Sequence, residues 1–220
     1  MPIEIEPPKE MSMSESHHRR SLPFGLIASA ILVLLASAIL VIAGSNAIPM
    51  KEKDAKAAWT QIENQYQRRN DLIPDLVETV KGYASQETDV LTAVVEARAK
   101  ATQLKISADQ LTDQVAVQKF QAAQDQLSGS LSRLLATVEA YPVLKSSHHF
   151  LSLESELEGS ENRISVARSD YIDAVRDYNT ELERIPGRWY ADVFYPNAKP
   201  MQSFTATPGA KEPPRVDVGQ

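Results

Sequence analysis

WTQIENQYQRRNDLIPDLVETVKGY, Trp59 to Tyr83, is the stretch that decides how this 220-residue chain folds. Its large apolar residues, Trp59, Ile62, Tyr66, Ile73, Leu76, Val80 and Tyr83, recur at alternating three- and four-residue steps, with Arg69 filling one place. That period is the seam of a helix packed against other helices. The seam runs on through Glu87, Val90, Val94, Ala97, Ala101 and Leu104 without a phase slip. Periodicity alone therefore reads as one helix kinked at Pro74. Local chemistry reads differently: Arg68 and Arg69 suit a helix C-terminus, Asn70 a C-cap, Asp71 an N-cap, and Pro74 a first turn, where a missing N–H costs nothing. An unbroken helix from Met50 to Leu104 would also be about 80 Å long, nearly twice the helices that follow. The expectation is two helices with a turn at Asn70-Asp71.

Arg69 and Glu87 are the charged members of the stripe. The ordinary reading, taken here, is that each lies at a helix end or bundle edge and reaches water. The alternative is a buried Arg69–Glu87 pair that fixes register. Beyond capping, Arg68, Arg69, Asp71 and Glu87 are also candidates for a docking face beside a helix junction, where helix dipoles add to their charges.

Toward the C-terminus, Ser107-Ala108-Asp109 opens a helix whose buried face is Leu111, Val115, Phe120, Gln124, Leu127, Leu131, Leu134, Val138 and Tyr141, ended by Pro142. Ser146-Ser147 starts the last helix, with Phe150, Leu153, Leu157, Ser160, Ile164, Ala167, Tyr171, Ala174, Tyr178 and Ile185 inward, and Pro186-Gly187 stops it. Four helices on short connections predict an all-α fold: an antiparallel up-and-down four-helix bundle over 48–187. In 188–220, Trp189, Tyr190, Phe194 and Tyr195 come first. An even number of helices returns the chain to its starting side, so these aromatics either sit at lipid headgroups or pack under the bundle's end. From Thr205 the chain is Pro-rich and expected to be loose.

Toward the N-terminus, no charge occurs between Arg20 and Lys51, and LPFGLIASAILVLLASAILVIAG, Leu22 to Gly44, is almost wholly apolar. About 20 such residues cross a bilayer, and a single crossing must be helical. The expectation is a transmembrane helix over 21–47, preceded by a disordered tail over 1–20. Ser45-Asn46-Ala47 resembles a cleavage site, but the apolar run is longer than a signal peptide's, so it is read as a retained signal-anchor. His17-His18-Arg19-Arg20 favours a cytoplasmic N-terminus, and Lys51, Lys53 and Lys56 oppose it. The reading taken is a single-pass protein of a bacterial membrane with its bundle on the extracytoplasmic, periplasmic side.

The net charge of −6 offers no basic footprint for nucleic acid, and the absence of cysteine excludes disulfides and thiol chemistry. No phosphate loop or nucleophile elbow occurs. Glu15 and His18 have the spacing of a bundle metal motif, but in one copy and in the tail. His148 and His149 are adjacent, so on a helix they point about 100° apart and cannot share a metal in the usual way. Glu156, Glu158 and Glu161 read as an ordinary solvated face. No catalytic, cofactor or metal site is expected.

AWTQIENQYQRRNDLIPDLVETVKGYASQE, Ala58 to Glu87, and FLSLESELEGSENRISVARSDYIDAVRDYN, Phe150 to Asn179, resemble the signature strings of the LemA family, as do the Ile185-Pro186-x-x-Trp189 exit and the segment at Phe204. The resemblance implies one N-terminal transmembrane helix followed by an up-and-down helical bundle, and it supplies no reaction. The Pro-rich tail and the Lys-rich link Met50–Lys56 depart from the family pattern. The function expected is a non-enzymatic, membrane-anchored scaffold that contacts lipids, self-associates in the membrane plane as a homo-oligomer and organises local complexes. The alternative is an accessory subunit of a signalling, protease or transport system with an unknown protein partner.

Overall fold

The computed structural model describes residues 24–205. The tail 1–20, with its basic cluster and the Glu15–His18 pair, and the Pro-rich end beyond Thr205 lie outside the described residues. Among the described residues there are seven α-helices, one 3-10 turn and no strand. The chain divides after Ile42 into two compact units.

The first unit holds most of α1 (Phe24–Ser45), a helix of 22 residues without an acid or a base. Ile27, Ile31, Leu32, Val33, Leu34 and Leu35 are exposed along it. Among the described residues no helix is long and apolar enough to cross a membrane. A helix forms where one was expected, and the crossing itself is not shown by it.

The second unit is the bundle. α2 (Ala47–Tyr83) and α6 (His148–Glu183) are 37 and 36 residues long. They run antiparallel over most of their length: Lys51 meets Glu181, Trp59 meets Tyr171, and Arg69 meets Glu161. α3 (Thr88–Gln103) and α4 (Gln114–Val138) form the second pair. The order is up-and-down, as the sequence predicts, but the boundaries differ at two places and two short helices are added.

α2 does not break at Asn70-Asp71. It continues through Pro74, and the chain reverses at Ala84–Glu87 instead. A proline inside a helix strands the carbonyl four residues back. That carbonyl, on Asn70, accepts a hydrogen bond from Arg98 Nε of α3 at 2.9 Å. Arg69 and Asn70 are themselves buried, so a solvated turn at this point would break the packing. The length argument was right that Met50–Leu104 is not one helix, but it placed the break too early: α2 is as long as α6, the helix it packs against.

The start of α4 is also later than expected. Ser107 opens only the 3-10 turn Ala108–Gln110, while Asp113 caps α4 by accepting from the Val115 and Ala116 N–H groups at 2.9 and 3.2 Å. Val115 is consequently exposed rather than part of the buried face. Pro142 begins a one-turn helix, α5 (Pro142–Lys145), before α6, and α7 (Gly187–Phe194) follows α6.

The core lies in two clusters. One centres on Trp59, packed at 5.2 to 6.0 Å by Phe120, Tyr171 and Phe204. The other is built from Ile73, Leu76 and Val80 of α2 with leucines of α4 and α6. Phe204 belongs to a C-terminal strap that the sequence did not predict. Asn179 holds Met201 through both its backbone groups at 2.9 Å, and Tyr171 OH donates to Gln202 O at 2.8 Å. Gln121 clasps Thr205, and the Arg168 guanidinium lies 4.6 Å over the Phe204 ring.

Candidate functional site

Between the two clusters the seam positions turn polar on three helices at one level: Arg69 and Asn70 on α2, Gln124 and Ser128 on α4, Ser160 and Glu161 on α6. Arg69 is the hub, at 1 % exposure. Its Nη1 donates to Glu161 Oε1 at 2.6 Å and to Ser128 Oγ at 2.7 Å, and its Nη2 donates to Gln124 Oε1 at 2.8 Å. The guanidinium also lies 5.1 Å from the Tyr66 ring centre, a cation–π distance. Arg69 Nε and Asn70 Oδ1 are buried without a protein partner. A guanidinium offers donors in a fixed planar fork, so one side chain ties α2 to both α4 and α6.

Neither reading of Arg69 holds. It does not reach water at a bundle edge, and its partner is Glu161 rather than Glu87. Glu87 does lie at a helix end, as the N-cap of α3, where it accepts from Tyr141 OH at 2.7 Å. That bond raises the pKa of the Tyr141 hydroxyl, because ionising it would set two anions side by side. Arg68 and Asp71 are exposed, and Asp71 accepts from Gln67 Nε2 at 2.7 Å. The four candidates thus fall into three places: Arg68 and Asp71 on the surface, Arg69 in the core, and Glu87 at the start of α3, past the end of α2 about 20 Å of helix away.

Glu161 is the outward end of the layer, at 41 % side-chain exposure. It stands at the edge of a cleft of about 560 Å³ between α4 and α6. Leu131 and Leu135 of α4 and Leu151 and Leu157 of α6 line it, with Glu154 and Glu158 beside Glu161 on the α6 side. The floor is apolar and one rim is acidic.

Chemistry is sparse elsewhere. Among the described residues no group of three or more His, Asp or Glu is placed to hold a metal ion. His148 and His149 are exposed on the first turn of α6. Burial pushes the Tyr66, Tyr171 and Tyr178 hydroxyls up in pKa and raises the Glu63 carboxyl.

The aromatic candidates divide. Trp189 and Phe194 are exposed on α7, whereas Tyr190 and Tyr195 are half-buried against the Trp59 cluster. The cleft went unseen in the sequence because Glu161 looked like one more solvated acid. The available signal was a polar residue at a buried seam position on each of three helices: Arg69, Gln124 and Ser160.

The model of the LemA family matches residues 58–218. The chain is also similar to the magnetosome proteins MamQ 1 and MamQ 2 of Paramagnetospirillum magneticum, at 24 % identity over 204 residues, covering 86 % of this chain and 74 % of each relative. It is 22 % identical over 184 residues to the magnetosome protein MamQ of Magnetospirillum gryphiswaldense, covering 76 % of this chain and 68 % of that protein.

Proposed function

The chain belongs to the LemA family, and on that premise we propose that it is a membrane-anchored, non-enzymatic scaffold that self-associates in the membrane plane. The anchor rests on composition: α1 has no acid in its first turn and no base in its last, and it is built almost wholly from the apolar stretch Leu22–Gly44, the kind of sequence a bilayer core accepts. The magnetosome relatives are in keeping with a protein that organises a membrane or the complexes on it. The bundle stands on the extracytoplasmic side.

The observation that carries the reading is the α4–α6 cleft, whose inner edge is fixed by Arg69 through Glu161. A rigid, apolar-floored cleft on a tethered bundle suits a helix of a second copy. Confinement to a plane raises the local concentration of such a partner without any new contact. An enzyme needs reacting groups held together, and this cleft offers leucines and carboxylates.

A photo-crosslinking side chain at Leu151, inside the cleft, tests this in native membranes, with one at exposed Thr92 on α3 as the control. The expected product is a light-dependent dimer from position 151 and none from 92. An adduct of 151 with a different protein would favour the alternative, an accessory subunit of a larger membrane assembly. No adduct above the level of the control would remove the docking role of the cleft.

A further inference from the structure

α7 turns an apolar stripe outward. Ile185 just before it, then Trp189 and Val193, are 66 %, 61 % and 70 % exposed, and Phe194 beside them is 51 % exposed. A four-residue step puts Trp189 and Val193 on one side of the helix, and exposed Ile185 lies just before it. The other side is spent on the bundle, where Tyr190 and Ala191 pack against the Trp59 cluster. A stripe of this kind is rarely left to water on a soluble surface.

Its place in the second unit says what covers it. The Tyr190 ring lies so close to Gly44 that a Cβ added there would displace it. Gly44 ends the apolar stretch Leu22–Gly44, so within the second unit α7 packs beside the residues at which that stretch enters it. Met50, on the first turns of α2 at that end, is 66 % exposed as well. Charge adds little: Arg184 pairs with Glu181 at 2.6 Å, and Arg188 and Asp192 are both exposed and opposite in sign. Tryptophan favours the headgroup region, and a short amphipathic helix lies flat there with its apolar side in the acyl boundary.

We infer that α7 is a lipid-contacting foot: Ile185, Trp189 and Val193 enter the headgroup–acyl boundary of the bilayer that holds the anchor, and set the bundle's stance on it. The inference rests on the membrane-anchored reading above. Because the local charges cancel, insertion is driven by apolar burial and does not need anionic lipid.

The chain has no cysteine, so a nitroxide can be placed at will. The full chain is reconstituted in phosphatidylcholine vesicles with Val193→Cys labelled, or with Val143→Cys labelled as a control; Val143 is 71 % exposed on α5. The expected result is a several-fold loss of collision with a water-soluble nickel chelate at position 193, with matching gain toward oxygen, and free access at 143. Equal access at both sites, in chains that stay on the vesicles through a carbonate wash, overturns the foot while leaving the anchor standing. Chains stripped by carbonate overturn the anchor, and the foot with it. Spin–spin broadening at position 193 puts a second copy on the stripe and also overturns the proposal.

Discussion

At the scale of single residues, Arg98 does what a backbone N–H would do elsewhere. Pro74 leaves the Asn70 carbonyl without its helical donor, and Arg98 Nε fills the gap from a neighbouring helix. Arg98→Met should therefore cost about 1–3 kcal/mol, the range for stranding a buried polar group. Pro74→Ala restores the intrahelical donor, so Arg98→Met made in that background should cost clearly less. Urea unfolding of the four proteins gives the coupling, and additive effects would mean that the bond does not compensate for the proline. Arg69 makes a second case. Arg69→Leu removes the donor of three bonds and leaves Gln124 Oε1 buried and unpaired. The expected loss is about 3 kcal/mol, the low end for a broken buried pair because Glu161 can still turn to water. Adding Gln124→Leu should return part of it. A melt of Arg69→Leu unchanged from wild type would show that the layer contributes nothing to stability. The stripe that contains Arg69 was legible in the sequence, and its burial was implied by the unbroken phase. Its partner was not legible, because Glu161 lies 92 residues away in the chain on a different helix.

At the scale of elements, the three-four repeat and capping chemistry gave opposite readings of Arg68–Pro74, and the repeat was right there, though it also ran unbroken through Ala84–Glu87, where the chain does turn. Arg68, Arg69, Asn70 and Asp71 have the composition of a helix junction, but composition is a local property. A helix stabilised mainly by tertiary packing can carry unfavourable local residues if their polar groups find partners. Here they do, in Arg98 for the carbonyl and in Gln124, Ser128 and Glu161 for the guanidinium. The C-terminal strap was illegible for the complementary reason. Met201 and Phe204 lie in a segment without period, and nothing local says that Asn179 and Gln121 will grip its backbone. The continuity of α2 can be measured directly. Ala57 and Lys81 are both exposed on it, and 24 steps at 1.5 Å place them about 36 Å apart. Spin labels at Ala57→Cys and Lys81→Cys should give one narrow distance distribution near that value. A population near half that separation would restore the turn at Asn70-Asp71.

At the scale of the whole molecule, the proposed anchor makes the side of the membrane that the bundle faces a matter of charge. Positive residues near the ends of an apolar span bias it, and the side richer in Lys and Arg stays in the cytoplasm. Arg19 and Arg20 precede α1, while Lys51, Lys53 and Lys56 follow it. A bare count therefore decides little. The structure gives two of the following lysines other work: Lys51 contacts Glu181 at 3.4 Å, and Lys56 contacts Glu52 at 2.8 Å and Asp109 at 3.5 Å. The bond to Glu52 raises the Lys56 pKa, as expected for a cation held by a carboxylate. Lysines that the bundle needs for its own contacts are present whichever way the chain inserts, so they carry less topological meaning than the pair before the span. This weighting favours the proposed placement of the bundle outside. Lys105 offers the test, since it is exposed in the irregular connection between α3 and the 3-10 turn, where a protease can enter. Trypsin added to cells with a permeabilised outer layer and an intact inner membrane should cut there and leave the N-terminal part in the membrane. Full protection until the inner membrane is lysed would turn the bundle inward and move the search for its partners to the cytoplasm.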